Sequence, residues 1–224
     1  MIRDLVLRHV EDELASGRLR VGDRLPGERT LGSQLGISRA SVREGIRVLE
    51  AMGVIRTAVG SGPDAGAVVV ADTSAGITSA LRLHLASSAL PVADVVGTRL
   101  LLETWAVREA ARRRDEPTLE AAQALLDAMD GTDAVEEFLR LDAEFHVTLS
   151  RAAGNAVIAA IMTSLRGAIH GYVLAAAPGD WAPMARRLRR QHRNVLAAVR
   201  VGDGDRAARL VARHIEGFYR ATSA

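Results

Sequence analysis

The stretch Arg24-Leu-Pro-Gly-Glu-Arg-Thr-Leu-Gly-Ser-Gln-Leu-Gly-Ile-Ser-Arg-Ala-Ser-Val-Arg-Glu-Gly-Ile-Arg-Val-Leu-Glu50 predicts two short helices joined by a tight turn. Leu31 and Leu35 share one face of the first helix, and Gly36 suits the turn because glycine tolerates the left-handed conformation. Ser38 is placed to cap the second helix. The apolar residues of that second helix recur at helical spacing: Val42, Ile46 and Leu49. This pattern is typical of a helix-turn-helix.

The second helix also carries a stripe of positive charge. Arg39, Arg43 and Arg47 are spaced four residues apart, so they lie on one side of the helix. Ser41 lies near the helix N-terminus, where backbone amides favour phosphate. An arginine fork can also bind O6 and N7 of guanine together. Periodicity alone fits an ordinary amphipathic helix pair with a solvated arginine face equally well.

The residues after Leu49 favour the DNA-binding interpretation. Two short β-prone runs, 53–57 and 67–70, flank a glycine-rich turn that contains Gly60. A helix-turn-helix followed by such a hairpin is a winged helix. We therefore expect residues 1–70 to form a winged helix-turn-helix DNA-binding domain.

Residues 1–70 also resemble the N-terminal domain of the GntR family of bacterial transcription regulators. The positions in register with the family pattern are Gly17, Leu19, Gly22, Leu25, Pro26, Glu28, Arg29, Leu31, Gly36, Ile37, Ser38, Arg39, Val42, Arg43 and Glu44. The resemblance implies that arginines contact phosphate or guanine edges, that serines contact backbone phosphate, and that the wing enters the minor groove. In this chain the arginines are Arg29, Arg39 and Arg43, the serines are Ser38 and Ser41, and the wing residue is Gly60.

Three residues of this region need comment. Gly32 and Gly45 occupy positions where such helices usually carry alanine, and each should weaken its helix by roughly 1 kcal/mol. Glu28 is expected to orient a neighbouring arginine rather than to read a base.

Composition fits a cytoplasmic regulator of two domains. The chain has 224 residues, of which 48% are hydrophobic, and no uninterrupted run of apolar residues long enough to span a membrane. The charges in its opening residues argue against a signal peptide. The absence of cysteine excludes thiolate metal sites, so a metal must use His, Asp or Glu. The net charge of +2 is small, so DNA affinity must come from the local arginine stripe.

The rest of the chain is expected to be an all-α domain. Residues 71–76 form a predicted linker, and residues 77–222 a predicted antiparallel helical bundle. Turn signals divide this bundle into seven helices, near 77–88, 93–113, 117–129, 133–152, 155–176, 181–201 and 204–222. The predicted fold class is therefore mostly α, a winged helix-turn-helix followed by a helical bundle.

Four polar residues of the bundle have metal-ligand spacing. Asp142 and His146 are one turn apart on the same face of a helix. His192 and His214 flank a predicted helical hairpin turn at equal distances, which places them at the same height. Singly, such residues more often belong to the surface or to a satisfied core. Together they predict a site of three imidazoles and one carboxylate.

This arrangement resembles the FCD ligand-binding domain of the FadR subfamily of GntR regulators. The matching segments are Arg99-Leu-Leu-Leu-Glu103, Asp142-Ala-Glu-Phe-His146, Gln191-His192-Arg193 and Arg213-His214-Ile215. The resemblance implies a divalent metal, Zn²⁺ or alternatively Ni²⁺, Mn²⁺ or Fe²⁺, bound by Asp142, His146, His192 and His214. It also implies that Arg99 binds a ligand carboxylate in a bidentate manner. The alternative for Arg99 is an ion pair with Glu103, four residues on.

These features predict a dimeric, ligand-responsive repressor that binds a palindromic operator in double-stranded DNA and senses a small carboxylate. It would be neither an enzyme nor membrane-bound. Three alternatives remain open at this stage. The bundle could bind a bulky ligand such as acyl-CoA without metal, or serve only for dimerisation. It could also be a metal-dependent hydrolase, for which Glu144 is the one available general base.

Overall fold

The computed structural model describes residues 3–58, 66–70, 72–177 and 179–222. Its helices are α1 Arg3–Ala15, α2 Glu28–Leu35, α3 Arg39–Ala51, α4 Ala75–Ala86, α5 Val92–Arg113, α6 Glu116–Asp130, α7 Val135–Ala152, α8 Ala156–Ala175, α9 Ala182–Arg200 and α10 Gly204–Thr222. Two strands, β1 Ile55–Ala58 and β2 Gly66–Val69, pair in antiparallel register. The chain divides into two compact units, residues 1–77 and 78–224.

The first unit has the winged helix-turn-helix architecture expected from the sequence. Gly36 adopts a left-handed φ of +66° at the end of α2, and the Ser38 hydroxyl accepts the Ser41 amide at 3.1 Å as the cap of α3. The core combines apolar residues of all three helices and both strands: Val6, Val10, Leu31, Val42, Ile46, Leu49, Ile55 and Val69. Glu50 accepts the amide and hydroxyl of Thr57, which joins α3 to β1. The predicted wing residue Gly60 lies outside the described residues.

The close packing of Gly45 against Val6 explains the glycine at this position, which the sequence alone did not reveal. A Cβ built at this position would lie 2.6 Å from Cβ of Val6 and 2.9 Å from each of its methyl groups. Val6 is fully buried, so it has little room to retreat. Gly45 therefore allows α1 to approach α3 closely. Gly32 is similar, since a Cβ there would lie 2.9 Å from the carbonyl oxygen of Ile37.

We expect Gly45→Ala to destabilise the protein, although alanine is the better helix former. The overpacking cost of about 1–3 kcal/mol should exceed the gain of about 1 kcal/mol in helix propensity. The matched control is Gly97→Ala in α5, where an added Cβ meets no neighbour within 4 Å and should stabilise. Chemical denaturation measures the change in the free energy of unfolding of each variant, and the two changes should have opposite signs. A more stable Gly45→Ala protein would contradict the packing interpretation.

The second unit is the helical bundle, and its helices begin and end within two residues of the predicted positions. The first of them, α4, starts at Ala75, inside the segment predicted as linker, and all but its first three residues belong to the second unit. Large buried side chains of α6, α7, α9 and α10 form the core: Leu119, Met129, Phe138, Phe145, Leu188, Leu196 and Ile215. Asn155 caps α8 by accepting the amides of Val157 and Ile158, both at 3.1 Å. Three helices that carry predicted ligands, α7, α9 and α10, thus meet in one core.

Helix α8 is the one described helix whose length and mean hydropathy would suffice to cross a membrane. Its buried face packs within the second unit through apolar residues that include Met162, Leu165 and Ile169. The same helix carries a buried arginine, Arg166. A core helix of a bundle meets the same length and hydropathy criteria, so this is weak evidence for a membrane span.

Candidate metal and effector site, and candidate DNA-binding surface

The bundle brings Asp142, His146, His192 and His214 together. One ligand atom from each lies within 4.8 Å of the others. Helix α7 supplies Asp142 and His146, α9 supplies His192, and α10 supplies His214. The three imidazoles are buried, and Asp142 keeps 9% of its surface exposed.

The distances within the cluster match those expected around one metal ion. Nε2 of His214 lies 3.2 Å from Nε2 of His146 and 3.3 Å from Nε2 of His192. Two imidazole nitrogens bound to one Zn²⁺ at about 2.0 Å in tetrahedral geometry are about 3.3 Å apart. The Oδ1 atom of Asp142 lies 3.0 Å from Nε2 of His192 and 3.8 Å from Nε2 of His146. The donors therefore face a common point.

The outer nitrogens of two histidines have acceptors that fix the tautomer. Nδ1 of His146 lies 2.5 Å from Oε2 of Glu103, and Nδ1 of His214 lies 3.1 Å from Oε1 of Gln191. Carboxylate and side-chain carbonyl oxygens act as acceptors, so these contacts favour the tautomer in which Nδ1 carries the proton and Nε2 presents a lone pair. Lone pairs 3.2 Å apart repel each other unless a cation lies between them. Metal-binding histidines commonly have such second partners, so the residues present fit a divalent metal.

Burial keeps the imidazoles of His146 and His214 neutral, which is the form that binds metal. It lowers the pKa of His146 to about 4 and that of His214 well below its usual range. Burial alone would raise the pKa of Asp142, but the guanidinium of Arg166 and a hydrogen bond from His192 hold it well below its ordinary value. At neutral pH the cluster therefore offers the neutral imidazoles of His146 and His214 and the carboxylate of Asp142.

Two buried arginines flank the cluster. Arg99 binds Glu103 from Nε at 2.9 Å and donates to the hydroxyl of Tyr219 at 3.0 Å. The ion-pair alternative for Arg99 is thus present in the structure, and Glu103 links this arginine to His146. Arg166 donates to the backbone carbonyl and the Oδ2 atom of Asp142, which leaves Oδ1 facing the histidines.

A small cavity connects the arginines to the cluster. Its described lining includes Arg99, Asp142, Arg166, His214 and Tyr219. Its volume is about 20 Å³, the space of roughly one water molecule. An organic acid can enter only if a wall side chain moves.

Sequence reasoning missed Arg166, Gln191 and Tyr219 as members of this site. Arg166 had a usable signal, since it is a lone charge that recurs with Met162 and Ile169 at the buried spacing of an otherwise apolar helix. Tyr219 comes 120 residues after Arg99, and no local pattern relates the two.

The position of Glu144 argues against its role as the general base of a hydrolase. Glu144 pairs with Arg140 at 2.9 Å, and its side chain is 54% exposed. It lines an outer groove together with Arg140 rather than the cavity next to the cluster.

The predicted DNA-contacting residues lie on the surface of the first unit. Arg29, Ser38, Arg39 and Arg43 are exposed, and Ser41 is partly exposed at the first turn of α3. Glu28 receives two hydrogen bonds from Arg43, at 2.9 and 2.7 Å, which also lower the pKa of Glu28. Glu28 therefore orients an arginine, as expected. The side chains of Arg39, Arg43 and Arg47 are exposed, with Arg43 held in place by Glu28.

Comparisons with known proteins agree with both units. Residues 3–63 match the gntR family of bacterial regulatory proteins, and residues 94–217 match the FCD domain. The Glc operon transcriptional activator of Escherichia coli (strain K12) is 29% identical over 208 residues, which cover 88% of this chain and 80% of that protein. The HTH-type transcriptional repressor NanR of Cronobacter sakazakii is 27% identical over 230 residues, 97% of this chain and 84% of the relative. A solved Streptococcus agalactiae GntR structure shares the fold with a TM-score of 0.66, 22% identity, and coverage of 98% of this chain and all of that one.

Proposed function

Since the chain belongs to the GntR family and, through its FCD domain, to the FadR subfamily of bacterial transcription regulators, we propose that it is a cytoplasmic repressor controlled by metal and a small organic acid. Its bundle holds a divalent metal, with Zn²⁺ the first choice, through Asp142, His146, His192 and His214. The observation that carries this proposal is the convergence of three imidazole nitrogens and a carboxylate oxygen beside two buried arginines.

The charges of the site favour an anionic effector. Arg99 and Arg166 contribute two positive charges, which Glu103 and Asp142 balance. A divalent metal adds two uncompensated positive charges in a buried place, where unbalanced charge is costly. A carboxylate that reaches both the metal and the guanidiniums lowers this cost. Arg166 thus joins Arg99 as a proposed effector-binding residue.

The DNA-binding half of the proposal rests on the arginine stripe. Arg29, Arg39 and Arg43 are proposed to contact phosphate or guanine edges, Ser38 and Ser41 phosphate, and Gly60 the minor groove. Two copies of the chain would read the half-sites of a palindromic operator in double-stranded DNA. The protein would act by binding rather than by catalysis.

Tyr219 would couple effector binding to a movement of the end of α10. Its hydroxyl accepts a hydrogen bond from Arg99, and its side chain lines the small cavity. An acid bound to Arg99 would displace this hydroxyl and with it the end of α10. Such a change alters DNA binding only if the acid binds one arrangement of the dimer better than the other.

We expect Tyr219→Phe to tighten acid binding, because the acid no longer competes with a hydrogen bond worth about 0.5–1.5 kcal/mol. Tyr172→Phe is the matched control with lactate as the acid, since Tyr172 is absent from the described lining of the polar cavity. Titration calorimetry of Zn²⁺-loaded protein compares the two. Unchanged or weaker acid binding in Tyr219→Phe would argue against displacement of the hydroxyl.

A thermal-shift screen tests the proposal as a whole. Chelator-treated protein is melted with organic acids in the presence and absence of Zn²⁺, Ni²⁺ or Mn²⁺. A ligand at a hundred times its Kd should add about 2.7 kcal/mol of stability. We expect metal to raise the melting temperature and one class of acid to raise it further only when metal is present. No shift with any metal would refute the metal site.

A further inference from the structure

A second, larger cavity adjoins the polar cavity. Three side chains, Val173, Phe218 and Tyr219, line both spaces. The second cavity has a volume of about 180 Å³, and its remaining described lining is Val92, Ile169, Tyr172 and Ala176. The larger cavity therefore lies next to the space beside the two arginines, with these three side chains at their boundary.

The chemistry of the larger cavity differs from that of the smaller one. None of its described lining residues carries a charge, and their only polar side-chain atoms are the hydroxyls of Tyr172 and Tyr219. A second carboxylate or a polyhydroxy chain placed there would lose its hydration without gaining enough partners. An apolar group would lose nothing comparable and would gain burial. A cavity of about 150 Å³ with apolar walls is large enough for benzene.

We propose that the effector is a monocarboxylic acid with an apolar tail of about phenyl size, its carboxylate between Arg99 and Arg166 and its tail against Ile169, Val173 and Phe218. This inference rests on the proposed function, because the polar cavity must first accept a carboxylate. It separates acids with an apolar tail from dicarboxylates and sugar acids, which the polar cavity alone would not distinguish.

A series of acids with one head group and growing tails tests the inference. The probes are lactate, 2-hydroxybutanoate, 2-hydroxyhexanoate and 3-phenyllactate, with malate as the dicarboxylate, each titrated calorimetrically into the full, Zn²⁺-loaded chain. Each buried methylene group should tighten binding roughly fourfold. The phenyl group should tighten it roughly 10- to 100-fold relative to lactate. Malate should bind no better than lactate.

One substitution should remove the tail effect alone. Ala176→Trp fills the larger cavity from the end of α8, next to neither arginine. It should erase the advantage of 3-phenyllactate while leaving lactate binding within about twofold of wild type. Ala175→Trp is the matched control, because Ala175 is exposed and belongs to the lining of another groove. It should preserve the advantage.

The possible outcomes distinguish failure of the inferred tail site from failure of the proposed acid sensor. Tighter binding with longer tails, lost in Ala176→Trp only, supports the inference. If lactate or malate binds but longer tails bring no gain, the inference is wrong and the proposed acid sensor stands. If tail length matters equally in Ala176→Trp, the tail lies elsewhere and the inference is wrong. If no acid binds at all, acid sensing fails and the inference fails with it.

Discussion

His214→Ala should lose stable metal binding and with it the metal-dependent part of the protein's stability. Substitutions of outer partners of metal-binding residues commonly cost 10- to 100-fold in affinity, so loss of a direct ligand should cost more than about 100-fold. Wild-type protein at a metal concentration of 1,000 times Kd gains about 4.1 kcal/mol. The variant should gain almost none of this. Metal content by elemental analysis and unfolding with and without Zn²⁺ measure both effects.

Without bound metal, the difference in stability between the wild type and His214→Ala should be smaller than with metal. Without metal, Nε2 of His214 lies 3.2 Å from Nε2 of His146, and the favoured tautomers place a lone pair on each. Removal of His214 relieves this repulsion, which offsets part of the cavity cost. His84→Ala is the control, because His84 is an exposed histidine on α4 outside the cluster. Wild-type metal content in His214→Ala would refute the assigned site.

Arg43→Ala should abolish sequence-specific DNA binding while leaving the fold intact. Arg43 is 57% exposed, so little packing is lost. A bidentate contact to guanine contributes about 1–3 kcal/mol of discrimination. The proposed dimer on a palindrome would make the contact twice, so the expected loss is about 2–6 kcal/mol, or roughly 30-fold to 10⁴-fold. The probe is a duplex selected from a random pool by the wild-type protein, and fluorescence anisotropy measures its affinity.

Arg18→Ala provides the comparison for Arg43→Ala. Arg18 is an exposed arginine of the same unit, paired with Glu13 at 2.8 Å and outside α3. Its loss should change DNA affinity little, and both variants should melt at the wild-type temperature. Full affinity of Arg43→Ala for the selected duplex would contradict the proposed docking of α3.

Local patterns predicted most of the fold. The helix-turn-helix followed from a glycine turn, a serine cap and apolar spacing, and Gly36 and Ser38 have those roles in the structure. The helices of the bundle begin and end within two residues of the positions that the turn signals predicted, as at α10, Gly204–Thr222. Each of these features depends on contacts within a few residues, which is the range that sequence periodicity describes.

The site was only partly predictable, because its remaining members are joined by long-range contacts. The hairpin geometry correctly brought His192 and His214 to the same height. The contacts of Arg99 with Tyr219 and of Arg166 with Asp142 connect residues 120 and 24 positions apart. Gly45 shows the same limit, since its value comes from a neighbouring helix rather than from its own propensity. The helix rule alone predicts the opposite sign for Gly45→Ala.

The central claim is that metal and acid act jointly on DNA binding, and the dissociation constant of the selected duplex tests it most directly. It is measured in four states of the wild-type protein: chelator-treated, with Zn²⁺, with the best-binding acid, and with both. Allosteric coupling typically changes affinity 5- to 150-fold. We expect the acid to weaken DNA binding by such a factor only when Zn²⁺ is present. An equal effect of acid without metal, or no effect with it, would contradict the account.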